Sequence, residues 1–119
     1  MAIGGYRDLL VWQRAMELVV VIYKLTEKYP KCELYGIVSQ MRRSAVSIPS
    51  NIAEGSKRGS KKEYRQFLIV AYGSGAELET QIEIAKRLGF GDINAYEKPN
   101  DLLNEVMRML NTMISKLKV

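Results

Sequence analysis

The chain has no histidine, and this absence excludes several kinds of chemistry. Without imidazole there is no Ser–His or Cys–His nucleophile pair, no histidine ligand for zinc, and no proton shuttle near neutral pH. Carboxylate chemistry at Glu54 or Glu77 stays open, although no spacing there is diagnostic of a reaction. Glu79 and Glu83 complete a set that resembles di-iron bundles, but such sites also need Glu-x-x-His motifs. We therefore expect no enzyme, no metal and no cofactor.

Cysteine and long apolar runs are also scarce. Cys32 is the only cysteine, so no disulfide can form within the chain, and a reducing cytoplasm suits it. The longest strongly apolar run, residues 18–22, is too short to span a bilayer. Residues 1–8 lack the basic-then-apolar layout of a signal peptide. These features predict a cytoplasmic protein without a membrane partner.

Basic charge is the feature that the composition has in excess. The 119 residues include 18 lysines and arginines against 13 acidic residues, which gives a net charge of +5. A chain of this length fits one domain, residues 1–119, and needs no disulfide or metal to fold. A basic surface favours polyanions such as RNA, although it does not by itself establish binding.

Apolar residues recur every three or four positions in four segments, which is typical of helices that each bury one face. We expect a first helix over about residues 7–28, a second from about residue 33, a third of about 29 residues after Ser60, and a fourth that becomes regular near Asn100. The predicted buried seams are Leu9, Trp12, Met16, Val19, Tyr23 and Thr26; Leu34, Met41, Ala45, Ile48 and Ile52; Tyr64, Phe67, Ala71, Gly75, Leu78, Ile82 and Ala85; and Leu103, Val106, Leu110, Met113 and Leu117.

Start and stop signals separate these segments. Ser60 and Glu63 have the spacing of a capping box, and Asn94 with Glu97 offers a second N-terminal cap. Glycines at 55–59 and 89–91 suit the left-handed turns that close helices. No window alternates as a strand does. The sequence predicts an all-α fold, an antiparallel up-down four-helix bundle.

Two of the helices carry more apolar residues than one seam requires. Residues 18–22 place apolar groups all round the first helix, and Met107, Met109 and Ile114 add to the fourth. The surplus is either buried within the bundle, tolerated in solvent, or covered by another subunit. We favour the subunit interface.

The second helix contains Pro49, which cannot donate to the carbonyl of Ala45, so a kink is expected. A polar ridge runs along the same helix. It is either a solvated face or a structural polar network in which Arg43 pairs with Glu54 or Glu77 and fixes packing or assembly. The residues of this predicted network are Gln40, Arg43, Ser47, Asn51, Glu54 and Glu77.

A basic cluster surrounds the turn between the second and third helices. The free N–H groups and the dipole at the start of the third helix suit a phosphate, and Tyr64 offers a stacking surface. The alternative is a solvated turn. The candidate nucleic-acid-binding residues are Lys57, Arg58, Lys61, Lys62 and Arg65.

Four motifs together give the chain a family resemblance over nearly its whole length. They are Tyr6-x-x-Leu9-x-x-Trp12-x-x-Ala15; Tyr29-Pro30-x-x-Glu33-x-Tyr35-Gly36; Gln40-x-x-Arg43 with Ser47-Ile-Pro-Ser-Asn-Ile-Ala-Glu-Gly55; and Ala71-Tyr-Gly-Ser74-x-x-Glu77-Leu-Glu79. With them the chain resembles the four-helix-bundle family of 23S rRNA intervening-sequence proteins.

That resemblance implies a bacterial cytoplasmic protein whose bundles assemble into a ring-like homopentamer. It also implies kinship with an accessory protein of diversity-generating retroelements, which works with a reverse transcriptase and RNA, and it implies no known enzymatic activity. We hypothesise a non-enzymatic homo-oligomer associated with structured RNA. The alternative is a scaffold that recruits a partner protein and has no direct role with nucleic acid.

Overall fold

The computed structural model describes residues 5–117, which form four α-helices. Each helix packs on the next, and α4 returns to pack on α1, so the four enclose one core. No residue from 5 to 117 is in a strand, and the predicted four-helix bundle is confirmed. The helices are α1 (Leu10–Thr26), α2 (Ser39–Ser56), α3 (Lys61–Arg87) and α4 (Glu97–Lys116), with short 3₁₀ turns at Gly5–Asp8, Lys31–Glu33 and Ile93–Tyr96 and a π-helical turn at Leu34–Val38.

The buried face of α1 differs from the predicted seam. Met16 and Tyr23, both assigned to that seam, are 42% and 40% exposed. Since α1 is apolar almost all round, its periodicity does not single out one face, and packing against α2 and α4 selects it. The buried residues of α1 are Val11, Ala15, Leu18, Ile22, Leu25 and Thr26.

The seams of the other three helices largely match the predictions. Leu34 is an exception, because it lies in the π-helical turn before α2 and is 45% exposed. Leu68 and Leu102 are buried although neither belongs to a predicted seam. The predicted seam residues that are buried are Met41, Ala45, Ile48 and Ile52 in α2, Ala71, Gly75, Leu78, Ile82 and Ala85 in α3, and Leu103, Val106 and Leu110 in α4.

Both ends of α3 agree with their sequence signals. The Glu63 N–H donates to Ser60 Oγ at 3.1 Å, which is the predicted N-terminal cap. At the other end Gly89 has a φ of 75°, and the Phe90 N–H donates to the Ala85 carbonyl at 3.0 Å. The 27-residue helix between them sets the length of the bundle.

The end of α2 and the start of α4 differ from the predictions. Gly59 does not adopt a positive φ; α2 instead ends where the Lys57 N–H donates to the Glu54 carbonyl. Asp92 caps the 3₁₀ turn that precedes α4, where its carboxylate accepts the N–H of Asn94 at 2.9 Å, and α4 itself starts at Glu97 without a side-chain cap. Helix α4 therefore begins earlier than Asn100, and Pro99 lies in its first turn, where its missing N–H costs no helical hydrogen bond.

Pro49 is buried inside α2, and the helix continues through it. The irregular backbone lies upstream at Gly36, which has φ −107° and ψ −115°. The predicted bend at Pro49 stays a prediction.

The apolar surplus on α4 is mostly taken up by the bundle. Met107, Met109 and Ile114 are partly buried and pack against the core. On α1, by contrast, Val20 is 52% exposed. Helix α3, which the sequence did not single out, also presents apolar groups to solvent, so α1 and α3 carry most of the exposed apolar residues of the four helices, with Val46 on α2. The exposed apolar residues of these two helices are Leu10, Met16, Val20 and Tyr23 on α1, and Ile69, Val70, Tyr72 and Ile84 on α3.

Among the helices described, none combines the length and the apolar character that crossing a membrane would require.

Candidate nucleic-acid interface

The α2–α3 turn gathers the predicted basic residues at one end of the bundle. Lys57 and Arg58 follow α2, and the other three lie in the first two turns of α3. Because the helices alternate in direction, the start of α1 and the end of α4 reach the same place. We call this surface the basic end, and it comprises Lys57, Arg58, Lys61, Lys62 and Arg65.

Three lysines of the basic end are free to bind an anion. Lys57, Lys61 and Lys62 are exposed, and none forms an ion pair with a residue in the described part of the chain. Lys61 and Lys62 also lie in the first turn of α3, where unpaired N–H groups and the helix dipole favour negative charge. This arrangement can hold a phosphate without first breaking a salt bridge.

Arg58 is less available than the lysines. Its guanidinium donates to Glu54 Oε2 at 2.8 Å and lies 4.0 Å from a carboxylate oxygen of Glu63. The same group stacks over the Phe67 ring, with the guanidinium carbon 4.8 Å from the ring centroid. Arg58 therefore ties the end of α2 to the start of α3, and a phosphate would have to compete with two carboxylates.

Arg65 also has a partner within the bundle. Its Nε donates to the carbonyl of Ile114 at 3.2 Å and so satisfies a backbone oxygen in the last turn of α4. The side chain is partly buried. Arg65 links α3 to α4, and only its remaining N–H groups could face a ligand.

Two aromatic residues, Tyr6 before α1 and Trp12 in its first turn, lie beside the basic end, and the sequence did not assign them to it. Lys57 Nζ lies 5.9 Å from the centroid of the Tyr6 ring, and Tyr6 packs edge-on against Trp12 at 5.2 Å. The Arg7 guanidinium lies 5.5 Å from the Tyr6 centroid. The predicted topology could have indicated this position, because an up-down bundle must bring the start of its first helix to the turn between the second and third helices.

Tyr64, the predicted stacking residue, is partly buried. Burial raises the pKa of its phenol. A methyl group added at Gly55 would lie 3.1 Å from Tyr64 Cδ1, so the ring packs against the end of α2. Less of the ring is left for a base than the sequence suggested.

The predicted polar network forms only in part. Ser47 Oγ lies 2.8 Å from Ser74 Oγ, a hydrogen bond that joins α2 to α3. Asn51 Nδ2 donates to the carbonyl and to the hydroxyl of Ser47, at 2.8 and 2.9 Å. Ser74 is not one of the predicted network residues, although it stands in the motif Ala71-Tyr-Gly-Ser74.

The charged members of that network do not join it. Gln40, Arg43, Glu54 and Glu77 are all exposed, and Arg43 pairs with neither glutamate. Glu54 bonds to Arg58, which lies four residues later in the turn after α2, whereas Arg43 lies about three helical turns earlier. The predicted Arg43–carboxylate pair does not form within the described chain.

Within residues 5–117 no group of three or more potential acidic or cysteine ligands converges in a way that could hold a metal ion.

Comparisons with known proteins agree with the fold. The family model described as 23S rRNA-intervening sequence protein matches residues 7–112. A solved structure from Bacteroides thetaiotaomicron, a protein of unknown function from the S23 ribosomal protein family, is 24% identical and superposes with a TM-score of 0.80. That alignment covers 90% of this chain and 100% of the other. A comparison with curated proteins finds no match.

Proposed function

Because this chain belongs to the family of 23S rRNA-intervening sequence proteins, we propose that it is a non-enzymatic protein that associates with structured RNA through the basic end. The observation that carries the proposal is the set of three exposed lysines, Lys57, Lys61 and Lys62, without carboxylate partners in the described chain. Their position beside the start of a 27-residue helix adds N–H donors to their charge.

The binding would consist mainly of phosphate contacts. Lysine side chains read charge and not base identity, so affinity should fall steeply as salt rises while sequence preference stays weak. Arg58 and Arg65 would mainly stabilise the basic end and would contribute less to phosphate binding, because both already have partners in the bundle.

We also propose that the protein acts in the cytoplasm as a homo-oligomer, a ring-like pentamer. The exposed apolar residues Met16 and Val20 of α1 support a subunit contact because solvent exposure of such groups is unfavourable. Several copies of the basic end on one particle would strengthen weak phosphate contacts through multivalency.

Binding of a labelled RNA hairpin, measured by fluorescence anisotropy across a salt series, tests the function. Replacing Lys57, Lys61 and Lys62 with alanine should lower the affinity and reduce the slope of log K against log salt by roughly three, about one per lysine. The matched control replaces Lys24, Lys28 and Lys98, which line a groove at the opposite end. An equal loss in the control, or no binding by the wild type at low salt, would overturn the proposal.

A protein-interaction scaffold is the second candidate. The observation that favours it is the apolar outer surface of α3, where Ile69, Val70 and Tyr72 are 38%, 51% and 37% exposed. A partner that stays bound after nuclease treatment and is lost on Val70→Lys would support this function. A partner that nuclease releases would instead support the RNA proposal.

A further inference from the structure

A groove lies between the end of α1 and the start of α2, at the opposite end of α2 from the basic end. Its volume is about 470 Å³, within the range of pockets that hold small ligands. We call it the Tyr35 groove. It is lined by Tyr23, Leu34, Tyr35, Val38, Ser39, Arg42, Arg43 and Val46.

Tyr35 is presented to solvent by an unusual piece of backbone. Its side chain is 93% exposed, more than any other large apolar or aromatic residue described. It lies in the irregular turn Leu34–Val38, beside Gly36, whose φ of −107° and ψ of −115° are not helical. A Cβ at Gly36 would lie 2.9 Å from Glu33 Oε1, so the close approach there requires a glycine or a shift of that side chain. The turn leaves both faces of the Tyr35 ring open.

Arg42 is held rigidly in the same groove. Its Nε donates to Thr26 Oγ1 at 2.9 Å, and its guanidinium carbon lies 4.5 Å from the centroid of the Tyr23 ring. Thr26 is only 3% exposed, and its hydroxyl donates to the Ile22 carbonyl at 2.8 Å. These contacts preorganise Arg42 against Tyr23 as one wall of the groove, the Tyr23–Arg42 wall, and so lower the entropy cost of ordering it when a ligand arrives.

The groove is complementary to an anion. Arg43 is exposed and forms no ion pair with any residue between 5 and 117, and the lining contains two arginines and no carboxylate. Aromatic faces interleaved with arginines are typical of surfaces that bind unpaired nucleotides, because every base can stack on a ring while its phosphate meets a cation.

We propose that the Tyr35 groove binds an unpaired segment of RNA. One base stacks on Tyr35, the Tyr23–Arg42 wall supports its neighbour, and Arg43 contacts the intervening phosphate. This inference rests on the proposed RNA association and adds a preference for single-stranded RNA. The 18 residues of α2 place the groove about 27 Å from the basic end, so one RNA with a helical stem and a loop can reach both.

Two labelled probes test the proposal: a 12-nucleotide adenosine single strand and an RNA duplex of the same length. Tyr35→Ala should weaken single-strand binding roughly 5- to 150-fold, the range expected for one stacked base, and leave duplex binding unchanged. Tyr35→Phe keeps the ring and should bind as the wild type does. Tyr72→Ala, which removes an exposed tyrosine from α3, is the matched control and should have no effect.

The outcomes separate this inference from the function on which it rests. If the lysine variant of the basic end loses duplex binding while Tyr35→Ala binds the single strand as tightly as the wild type, the groove proposal is wrong and the proposed function stands. If the wild type binds neither probe, both fail. If Tyr35→Ala lowers the native mass and leaves affinity per chain unchanged, the groove is a subunit contact and the inference is overturned.

Discussion

At the scale of single residues, a buried tyrosine pair closes the end of the bundle opposite the basic end. The Tyr96 hydroxyl donates to the Phe90 carbonyl, so the hydrogen bond of 2.8 Å between the two phenols uses the proton of Tyr29. Their side chains are only 5% and 2% exposed. Burial is the main cause that raises the pKa of Tyr29 and of Tyr96, and donation to Tyr96 raises the pKa of Tyr29 further.

This pair should make stability depend on pH in the alkaline range. In the unfolded chain the phenols have a pKa of about 10, and in the folded chain they stay protonated above that value. The stabilisation is therefore complete below pH 10 and is lost as the pH rises above it. Tyr29→Phe should cost about 1 kcal/mol at pH 7 through the lost hydrogen bond, and should flatten the decline between pH 9 and 11.

Urea unfolding at a series of pH values measures both effects. Tyr72→Phe changes an exposed tyrosine and should leave the free energy of unfolding and its pH dependence unchanged. A decline in Tyr29→Phe as steep as in the wild type would show that the buried pair is not its source.

At the scale of helices, a glycine sets the distance between α2 and α3. A Cβ at Gly55 would lie 2.6 Å from Phe67 Cβ, and Phe67 cannot turn its own Cβ away. Gly55→Ala should destabilise the bundle by about 1–3 kcal/mol, as overpacking does, despite the better helix propensity of alanine. Gly73 in α3 has nothing within 4 Å of an added Cβ, so Gly73→Ala should stabilise it by up to about 1 kcal/mol.

The two glycine substitutions should change the free energy of unfolding in opposite directions. Denaturant unfolding of both variants measures these changes. Stabilisation by Gly55→Ala would mean that α2 and α3 can separate at no cost. Gly55 is predicted from the sequence to lie in a left-handed turn, but in the structure it is a buried residue within α2. Residue type alone could not distinguish the two, because a glycine suits either a turn or a close approach.

At the scale of the whole molecule, the exposed apolar residues of α1 predict the oligomer. Native mass spectrometry should give five times the mass of one chain if the proposed pentamer forms. Val20→Lys adds charge at a side chain that is 52% exposed, so it should lower the native mass without changing the helical circular dichroism. Asn104→Lys on the polar outer face of α4 is the matched control. A wild-type protein that is monomeric at micromolar concentration would contradict the proposal.

The candidate site was predictable in residue type and only partly in role. The sequence placed five cations near one helix start, and the structure brings them to one end of the bundle. The spacing of Glu54 and Arg58 was a local signal for one ion pair, but Glu63 and the Ile114 carbonyl reach Arg58 and Arg65 only through the turn and through the packing of α3 on α4. Residue spacing alone also did not place Tyr6 beside Lys57, although the predicted up-down order of the helices brings their segments to the same end.

The sequence by itself determined the four helices, most of their buried faces and the cap at Ser60, because periodicity and capping are local properties of the chain. Tertiary packing decided what local rules leave open: the buried face of α1, the position of Asp92 as the cap of the 3₁₀ turn before α4, and the exposure of Tyr35. The physical reason is the same in each case. An apolar helix offers several faces of similar hydrophobicity, and a cation or a ring has several partners within reach. Only the neighbouring helices determine which of these form.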